Sequence, residues 1–215
     1  MNRTLGLISA IAVGVAIISF AASMMAGQEY VSHATSMVLS WAYVLLACSF
    51  SATASDDHRT AALAGTAFAT LYAGFVTTVY FVQLTTVLHQ TGSAEILSLL
   101  AYRELGSLMF NLDLLGYGFM ALSTLFIGLT ISTPSKIGWW LKVLLIGHGA
   151  FAPMCVVLPI LNVFGTMPKG EGGSIGVTIL IGWCAYFLPI SLLAYIYIRD
   201  AQRPLTHLQY AMPTG

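Results

Sequence analysis

Charged side chains are scarce in this chain. Only 7% of its 215 residues are Asp, Glu, Lys or Arg, against roughly 25% in soluble domains. Because 58% of the residues are hydrophobic, the surface of the folded chain requires lipid rather than water as its solvent. The eight basic and eight acidic residues form no run, which excludes the clustered basic surface of nucleic-acid-binding proteins. We therefore predict an integral membrane protein whose first partner is the lipid bilayer.

Cysteine is also rare, and catalytic motifs are absent from the sequence. The three cysteines all fall in apolar segments, without CxxC or Cys/His metal spacing. No phosphate loop, GxSxG, HExxH or dinucleotide fingerprint occurs. We therefore predict no metal, no cofactor and no catalytic residue. A membrane-embedded enzyme acting on a lipid or quinone is only the second alternative function. Such catalysis needs acids, bases or metal ligands that converge on one face, and the chain offers few of them.

What the chain has in quantity is long apolar runs. A spanning helix needs about 20 mostly apolar residues, and six stretches meet or approach that length: residues 4–26, 34–51, 60–88, 108–131, 137–164 and 174–198. None shows the short alternating pattern of barrel strands. The second run could begin earlier, at Val31. We predict an all-α fold, a single domain over residues 1–215 built as a six-transmembrane-helix bundle, with the first run retained rather than cleaved as a signal peptide.

The distribution of lysine and arginine predicts the orientation. With six spans, one side of the membrane holds six basic residues, namely Arg3, Arg59, Lys136, Lys142, Arg199 and Arg203. The other side holds Arg103 and Lys169. By the positive-inside rule, both termini are cytoplasmic in a cytoplasmic-type cell membrane. Residues 199–215 then form a short cytoplasmic tail, and the Gly-rich stretch 166–176 is an external loop.

A second external segment, residues 93–104, has helical spacing of its own. Ile96, Leu99, Leu100 and Arg103 recur on one stripe, which is typical of a short interfacial helix. We predict such a helix between the third and fourth spans. It serves either as a connector that hides its leucines among headgroups or as a lid or partner contact.

Asp113 is the strongest pointer to a functional site, because a carboxylate inside an apolar run is costly unless it has a partner or water. Tyr117 shares its helix face at i+4. Gln83 and Tyr80, on the antiparallel third helix, fall near the same depth. We predict a Gln83–Asp113 hydrogen bond that Tyr80 joins.

The fifth run carries a histidine beside flexible backbone. Gly147 and Gly149 flank His148, and Pro153 removes the amide that would meet the Gly149 carbonyl, so we predict a kink there. His148 lies within about 6 Å of Asp113 along the membrane normal. The two could pair directly or through water, as a proton relay or as a hydrogen bond that only fixes helix register, which the sequence alone favours.

The third run has a ladder of small residues at four-residue spacing: Ala62, Thr66, Thr70 and Gly74. Such ladders let helices pack closely in lipid. The ladder predicts helix–helix contact within the monomer or, alternatively, a homo- or hetero-oligomer seam. The leading functional hypothesis is a small transporter or permeation protein with a proton-linked buried carboxylate. The first alternative is a non-catalytic assembly, accessory or sensor subunit.

Overall fold

A computed structural model describes residues 2–166 and 172–200, and all regular elements within these ranges are helices. Residues 167–171 of the predicted external loop and residues 201–215 of the predicted tail lie outside the described residues. Six helical segments of the described chain are long and apolar enough to cross a membrane. The all-helical class and the six long apolar helices are thus confirmed.

The described residues contain eight α-helices, of which all but the fourth contribute to these six segments. They are α1 (Asn2–Met25), α2 (Glu29–Ser51), α3 (Arg59–Val82), α4 (Ala94–Leu100), α5 (Leu108–Thr130), α6 (Lys136–His148), α7 (Phe151–Ile160) and α8 (Gly172–Asp200). The short α4 occupies the position predicted for the interfacial helix. Together α6 and α7 form the fifth apolar segment.

Helix boundaries follow from local chemistry. Gly27, with φ of 67°, ends α1 in a Schellman motif, in which the Gln28 amide donates to Ser23 O and the Gly27 amide to Met24 O. This compact turn lets α2 begin at Glu29 rather than at residue 34. Serine side chains cap three later helices by accepting a backbone amide hydrogen, as expected of N-caps. They are Ser93 of α4, Ser107 of α5 and Ser135 of α6.

The end of α3 widens instead of stopping. Residues Gln83–Val87 form a π-helical turn, closed by the Leu88 amide donating to Gln83 O over 2.9 Å. Such turns are rare and frequently occur at functional sites. Gln83 therefore begins the π-helical turn and is displaced from a regular α-helical path.

The core forms around α5, which packs against α3, α6 and α7. Gly65 of α3 lies so close to Ile127 that a Cβ there would be 2.8 Å from the Ile127 side chain. Glycine permits this approach. A buried chain of hydrogen bonds crosses the same region: Tyr43 donates to Ser123 Oγ over 2.9 Å, and Ser123 donates to Gly65 O over 2.7 Å.

The small-residue ladder on α3 divides into two parts. Ala62 is buried and Thr66 half-buried, and both meet Ser51 of α2, whose hydroxyl lies 2.7 Å from Ala62 O and 2.6 Å from Thr66 Oγ1. Thr70 and Gly74 are exposed, and a Cβ on Gly74 would touch nothing within 4 Å. The first half of the ladder thus packs inside the monomer, and the second half faces outward.

Candidate functional site

A cavity of about 1010 Å³ opens at the end of the bundle where α1 meets α2 and where α5 begins. Its walls come from these helices, from the segment 102–105, and from α7 and α8. Of the predicted polar site residues, Asp113, Tyr117 and His148 line it. We call this space the Asp113 cavity.

Asp113 has one engaged oxygen and one free oxygen. Its side chain belongs to a residue only 5% exposed. The Tyr80 hydroxyl donates to Oδ2 over 3.5 Å, across the α3–α5 interface. Oδ1 has no hydrogen-bond partner among the described residues. The carboxylate is therefore not saturated by the fold.

Three other buried polar atoms near Asp113 lack partners in the described part of the chain: Tyr72 Oη, Tyr117 Oη and His33 Nδ1. The ring of Tyr117 contacts that of Tyr72 at 5.8 Å, and the ring of His33 contacts that of Tyr80 at 5.4 Å. Buried polar groups normally have partners. Tyr117 and His33 also line the Asp113 cavity, and unpartnered polar atoms at a cavity point to water or a ligand.

No positive group among the described residues contacts Asp113. The titratable side chains that interact electrostatically with it are Tyr72 and Tyr80 of α3, Tyr102, Tyr117 of α5 and Cys155 of α7. All are neutral when protonated and negative when they titrate. The negative charge of an ionised Asp113 is thus uncompensated by its neighbours.

The predicted Gln83–Asp113 hydrogen bond is wrong. Gln83 Nε2 donates to Leu100 O over 2.9 Å, and Gln83 Oε1 accepts from the Tyr102 amide over 3.1 Å. The physical reason is competition, because the chain after α4 brings unpaired backbone groups directly to the buried amide, which satisfies both of its ends. Gln83 instead ties the segment that leads from α4 to α5 onto the end of α3.

A direct His148–Asp113 pair is also wrong. Trp183 Nε1 donates to His148 Nε2 over 3.0 Å, and His148 Nδ1 lies 2.8 Å from Thr124 Oγ1. The indole makes Nε2 an acceptor, so Nδ1 carries the hydrogen and donates to Thr124, whose hydroxyl donates onward to Ala121 O over 2.9 Å. Both ring nitrogens are thereby engaged, although His148 lies at the same cavity as Asp113.

The predicted kink site coincides with a helix break. The α-helix stops at His148 and resumes at Phe151, with Gly149 and Ala150 between them as a turn. Pro153 stands in the first turn of α7, where a missing amide costs little. The Gly149 carbonyl accepts instead from the Ala152 amide over 3.1 Å. Gly147 also makes room for Tyr186, because a Cβ there would be 2.8 Å from its hydroxyl.

The mouth of the cavity carries an ion pair. Arg103 Nη1 bonds Glu29 Oε1, and both side chains are partly exposed. Glu29 and His33 precede the second apolar run at residues 34–51, but both belong to α2, and His33 is only 3% exposed. Glu29 and His33 are four residues apart and therefore share one face of α2. This spacing is visible in the sequence.

Tyr102 and Trp183 are cavity residues that the sequence did not single out. The ring of Tyr102 contacts His33 at 5.5 Å and Tyr80 at 5.7 Å. Burial, followed by the nearby Asp113 carboxylate, raises the pKa of Tyr102 to about 12, while Arg103 acts in the opposite direction. Tyr102 therefore keeps its hydroxyl hydrogen at neutral pH.

Within residues 2–166 and 172–200, no group of three or more His, Cys, Asp or Glu side chains is placed to hold a metal ion. Comparisons with protein-family models, with curated proteins and with solved structures found no match to this chain. The function of the chain is therefore inferred from the geometry of the Asp113 cavity.

Proposed function

We propose that the chain is a small transporter or permeation protein of a cytoplasmic-type membrane, in which Asp113 alternately binds a proton and a substrate. The observation that carries the proposal is the free Oδ1 of Asp113 at a cavity of about 1010 Å³. A carboxylate that merely fixed helix register would have both oxygens in hydrogen bonds with neighbouring helices. Asp113 instead has a buried oxygen without a partner among the described residues, on a side chain that lines a cavity, which leaves a position for a partner that enters and leaves.

The charge balance of the cavity supports proton binding. Glu29 and Arg103 neutralise each other at the mouth. Both ring nitrogens of His148 form hydrogen bonds, with Thr124 and with Trp183. An ionised Asp113 left without a cation in apolar surroundings is costly. When the cavity holds no cation, the carboxyl group avoids that cost by taking up a proton.

The closed side of the bundle supports a transport cycle. Past the cavity, the interior is filled by large side chains that are fully or almost fully buried, including Tyr43, Met120 and Phe187. Passage therefore requires a second conformation. The helix break at Gly149–Ala150 and the π-helical turn Gln83–Val87 are two places where the helices can bend at low cost.

The orientation completes the proposal and has its own test. The excess of basic residues on the side of both termini supports an orientation with the termini in the cytoplasm and the cavity mouth outside. In a variant without native cysteines, Ser55→Cys should react with an impermeant maleimide only after cell lysis, whereas Thr91→Cys should react in intact cells. The reverse pattern would invert the orientation.

Proton flux into liposomes tests the transport role. Purified protein is reconstituted with an internal pH dye, and flux is driven by an imposed membrane potential. We expect wild type to carry protons above the protein-free rate, and Asp113→Asn to fall to that rate. Glu95→Gln is the matched control, since Glu95 is an exposed carboxylate outside the cavity. Equal flux for wild type and Asp113→Asn, or no flux in either, would contradict the proposal.

The alternative of an accessory subunit rests on the outward half of the α3 ladder. Thr70 and Gly74 present small side chains on the surface, as at helix–helix contacts in lipid. Gly74→Leu should then dissociate a complex recovered in mild detergent, as measured by light scattering. A single monomeric species for both the wild type and Gly74→Leu would argue against this role.

A further inference from the structure

We propose that the Asp113 cavity takes a lipophilic cation, a molecule with one positive centre and apolar substituents, which enters from the membrane between α7 and α8. This inference deepens the proposed transport function and rests on it for its biological meaning. It concerns the chemical class of the substrate and the path by which it arrives.

The charge of the ligand follows from the side chains at the cavity. Within the described residues, five of its lining side chains are acidic or basic, namely Glu29, His33, Arg103, Asp113 and His148. Glu29 and Arg103 already form a pair, both ring nitrogens of His148 are hydrogen-bonded, and His33 packs against the rings of Tyr80 and Tyr102. Asp113 is left with a free oxygen and no cationic neighbour. An anionic ligand would be repelled by the ionised carboxylate, and a neutral one would not compensate the charge that is left when the proton departs. A cation replaces the proton and compensates the charge.

Aromatic rings beside Asp113 suit an organic cation. Tyr117 lies one helical turn from Asp113 on the same face, and its ring contacts Trp183 at 5.3 Å. Both rings line the cavity. Ring faces attract a cation within about 6 Å, and Trp and Tyr do so better than aliphatic side chains.

A hydrated metal ion fits the site less well. Alkaline-earth cations require about six oxygen ligands, whereas the described part of the cavity offers one carboxylate outside the Glu29–Arg103 ion pair and has no three-residue metal group. The remaining lining is mostly apolar and includes Phe151, Met154 and Leu158 of α7. Apolar substituents around the charge match this lining, and a hydration shell does not.

The lateral path follows from helix packing. Residues of both α7 and α8 line the cavity. The helix α8 packs against α1 and α6, whereas α7 packs against α5, so the cavity lies between α7 and α8. Met154 is 54% exposed and Ile179 is 59% exposed, although both also line the cavity. In a bilayer these side chains face lipid. A lipophilic cation that partitions into the membrane therefore reaches Asp113 without crossing the ion pair at the mouth.

The volume of the cavity agrees with this class. Ligand pockets commonly measure about 300–1,000 Å³, so a space of about 1010 Å³ holds a bulky organic ion. Tetraphenylphosphonium is a suitable probe, because it has one buried charge, four phenyl groups and no hydrogen-bond donor. Tetraphenylborate is nearly the same in shape and has the opposite charge, so it controls for hydrophobic adsorption.

Equilibrium dialysis of both probes against the purified full chain in detergent tests the inference. We expect saturable binding of tetraphenylphosphonium to wild type and to Glu95→Gln, and binding weaker by at least about tenfold in Asp113→Asn, as expected when one partner of a buried charge pair is removed. Tetraphenylborate should show no saturable binding to wild type, a comparison that needs no variant to fold. Equal saturable binding of both probes, or undiminished phosphonium binding to folded Asp113→Asn, would overturn the inference.

The binding measurement tests the cation class and the flux measurement tests transport, so one claim can be contradicted without the other. Asp113-dependent proton flux without phosphonium binding would overturn the cation class and leave transport standing. Asp113-dependent phosphonium binding without Asp113-dependent flux would overturn transport and leave a cation-binding membrane protein.

Discussion

The Tyr80 hydroxyl lies 3.5 Å from Asp113 Oδ2, a separation at the long end of hydrogen bonds between oxygen atoms. This one contact joins α3 to the carboxylate, while Oδ1 keeps no partner in the described chain. The contact therefore orients Asp113 without saturating it. Such an arrangement suits a group that must exchange a proton or a ligand.

Removing the hydroxyl should alter function more than stability. Because the contact is long, Tyr80→Phe should lower the free energy of unfolding by no more than about 1 kcal/mol. It should still reduce Asp113-dependent proton flux, since the carboxylate loses its only side-chain donor among the described residues. Thermal unfolding and liposome flux measure the two effects. Tyr30→Phe, an exposed tyrosine of α2, should change neither, and a flux unchanged by Tyr80→Phe would show that the contact is incidental.

Gln83 should hold the segment after α4 in place. Gln83→Leu leaves the Leu100 carbonyl and the Tyr102 amide without their present partner, at a cost of about 1–3 kcal/mol for each group that stays buried. We expect faster amide hydrogen exchange in residues 100–107 and a lower unfolding temperature. In the same π-helical turn, the Thr85 hydroxyl donates to Phe81 O of its own helix. Thr85→Val should therefore leave exchange in residues 100–107 unchanged. Equal exchange in both variants would remove Gln83 from this role.

His148 should act as a structural junction. Trp183→Phe leaves the buried Nε2 of His148 without its donor, which should lower the free energy of unfolding by about 1–3 kcal/mol. The stacking of this ring on Phe187, at 5.1 Å between centroids, is available to phenylalanine. Trp139→Phe, at a half-exposed position outside the cavity, controls for the loss of an indole. Denaturant unfolding compares them, and equal stability would contradict the junction.

The close approach of α3 and α5 should tolerate no side chain at Gly65. Because an added methyl group would press against Ile127, Gly65→Ala should destabilise the protein by about 1–3 kcal/mol, as overpacking does. Gly74→Ala meets open space on the same helix and should be neutral or stabilising by up to about 1 kcal/mol. Chemical denaturation should therefore give a lower free energy of unfolding for Gly65→Ala and an unchanged or higher one for Gly74→Ala. A Gly65→Ala variant as stable as Gly74→Ala would show that the contact is loose.

The bundle could be predicted from composition because spans depend on long averages of hydropathy. Six apolar runs correspond to six long helical segments, and the break at Gly149–Ala150 follows from glycine and proline chemistry that acts locally. The helix face that Asp113 shares with Tyr117 also followed from the helical period. These quantities require no knowledge of neighbouring helices.

The partners of the polar residues could not be predicted in the same way. Depth places His148 near Asp113, but the rotation of α6 about its axis decides that His148 meets Thr124 and Trp183. Gln83 depends on the path of the chain through residues 100–102, which no periodicity describes. Trp183 was counted as apolar in the sequence, although its indole hydrogen decides which nitrogen of His148 accepts.

The linkage between the proton and the cation follows from the free oxygen of Asp113. If the carboxyl group gives up its proton when a cation binds, cation affinity rises with pH while the carboxyl is protonated in the free protein. When no cation is present, the same carboxyl group binds a proton, which is the condition of the liposome flux measurement.

Proton release on binding tests this exchange most directly. Tetraphenylphosphonium is added to the purified protein in weakly buffered detergent solution near neutral pH, and the released protons are titrated against the bound cation. Wild type should release protons in proportion to the bound cation, up to one for each cation where the carboxyl is fully protonated in the free protein, and Asp113→Asn should release none. Cation binding to wild type without proton release, or equal release from Asp113→Asn, would contradict a proton-linked Asp113.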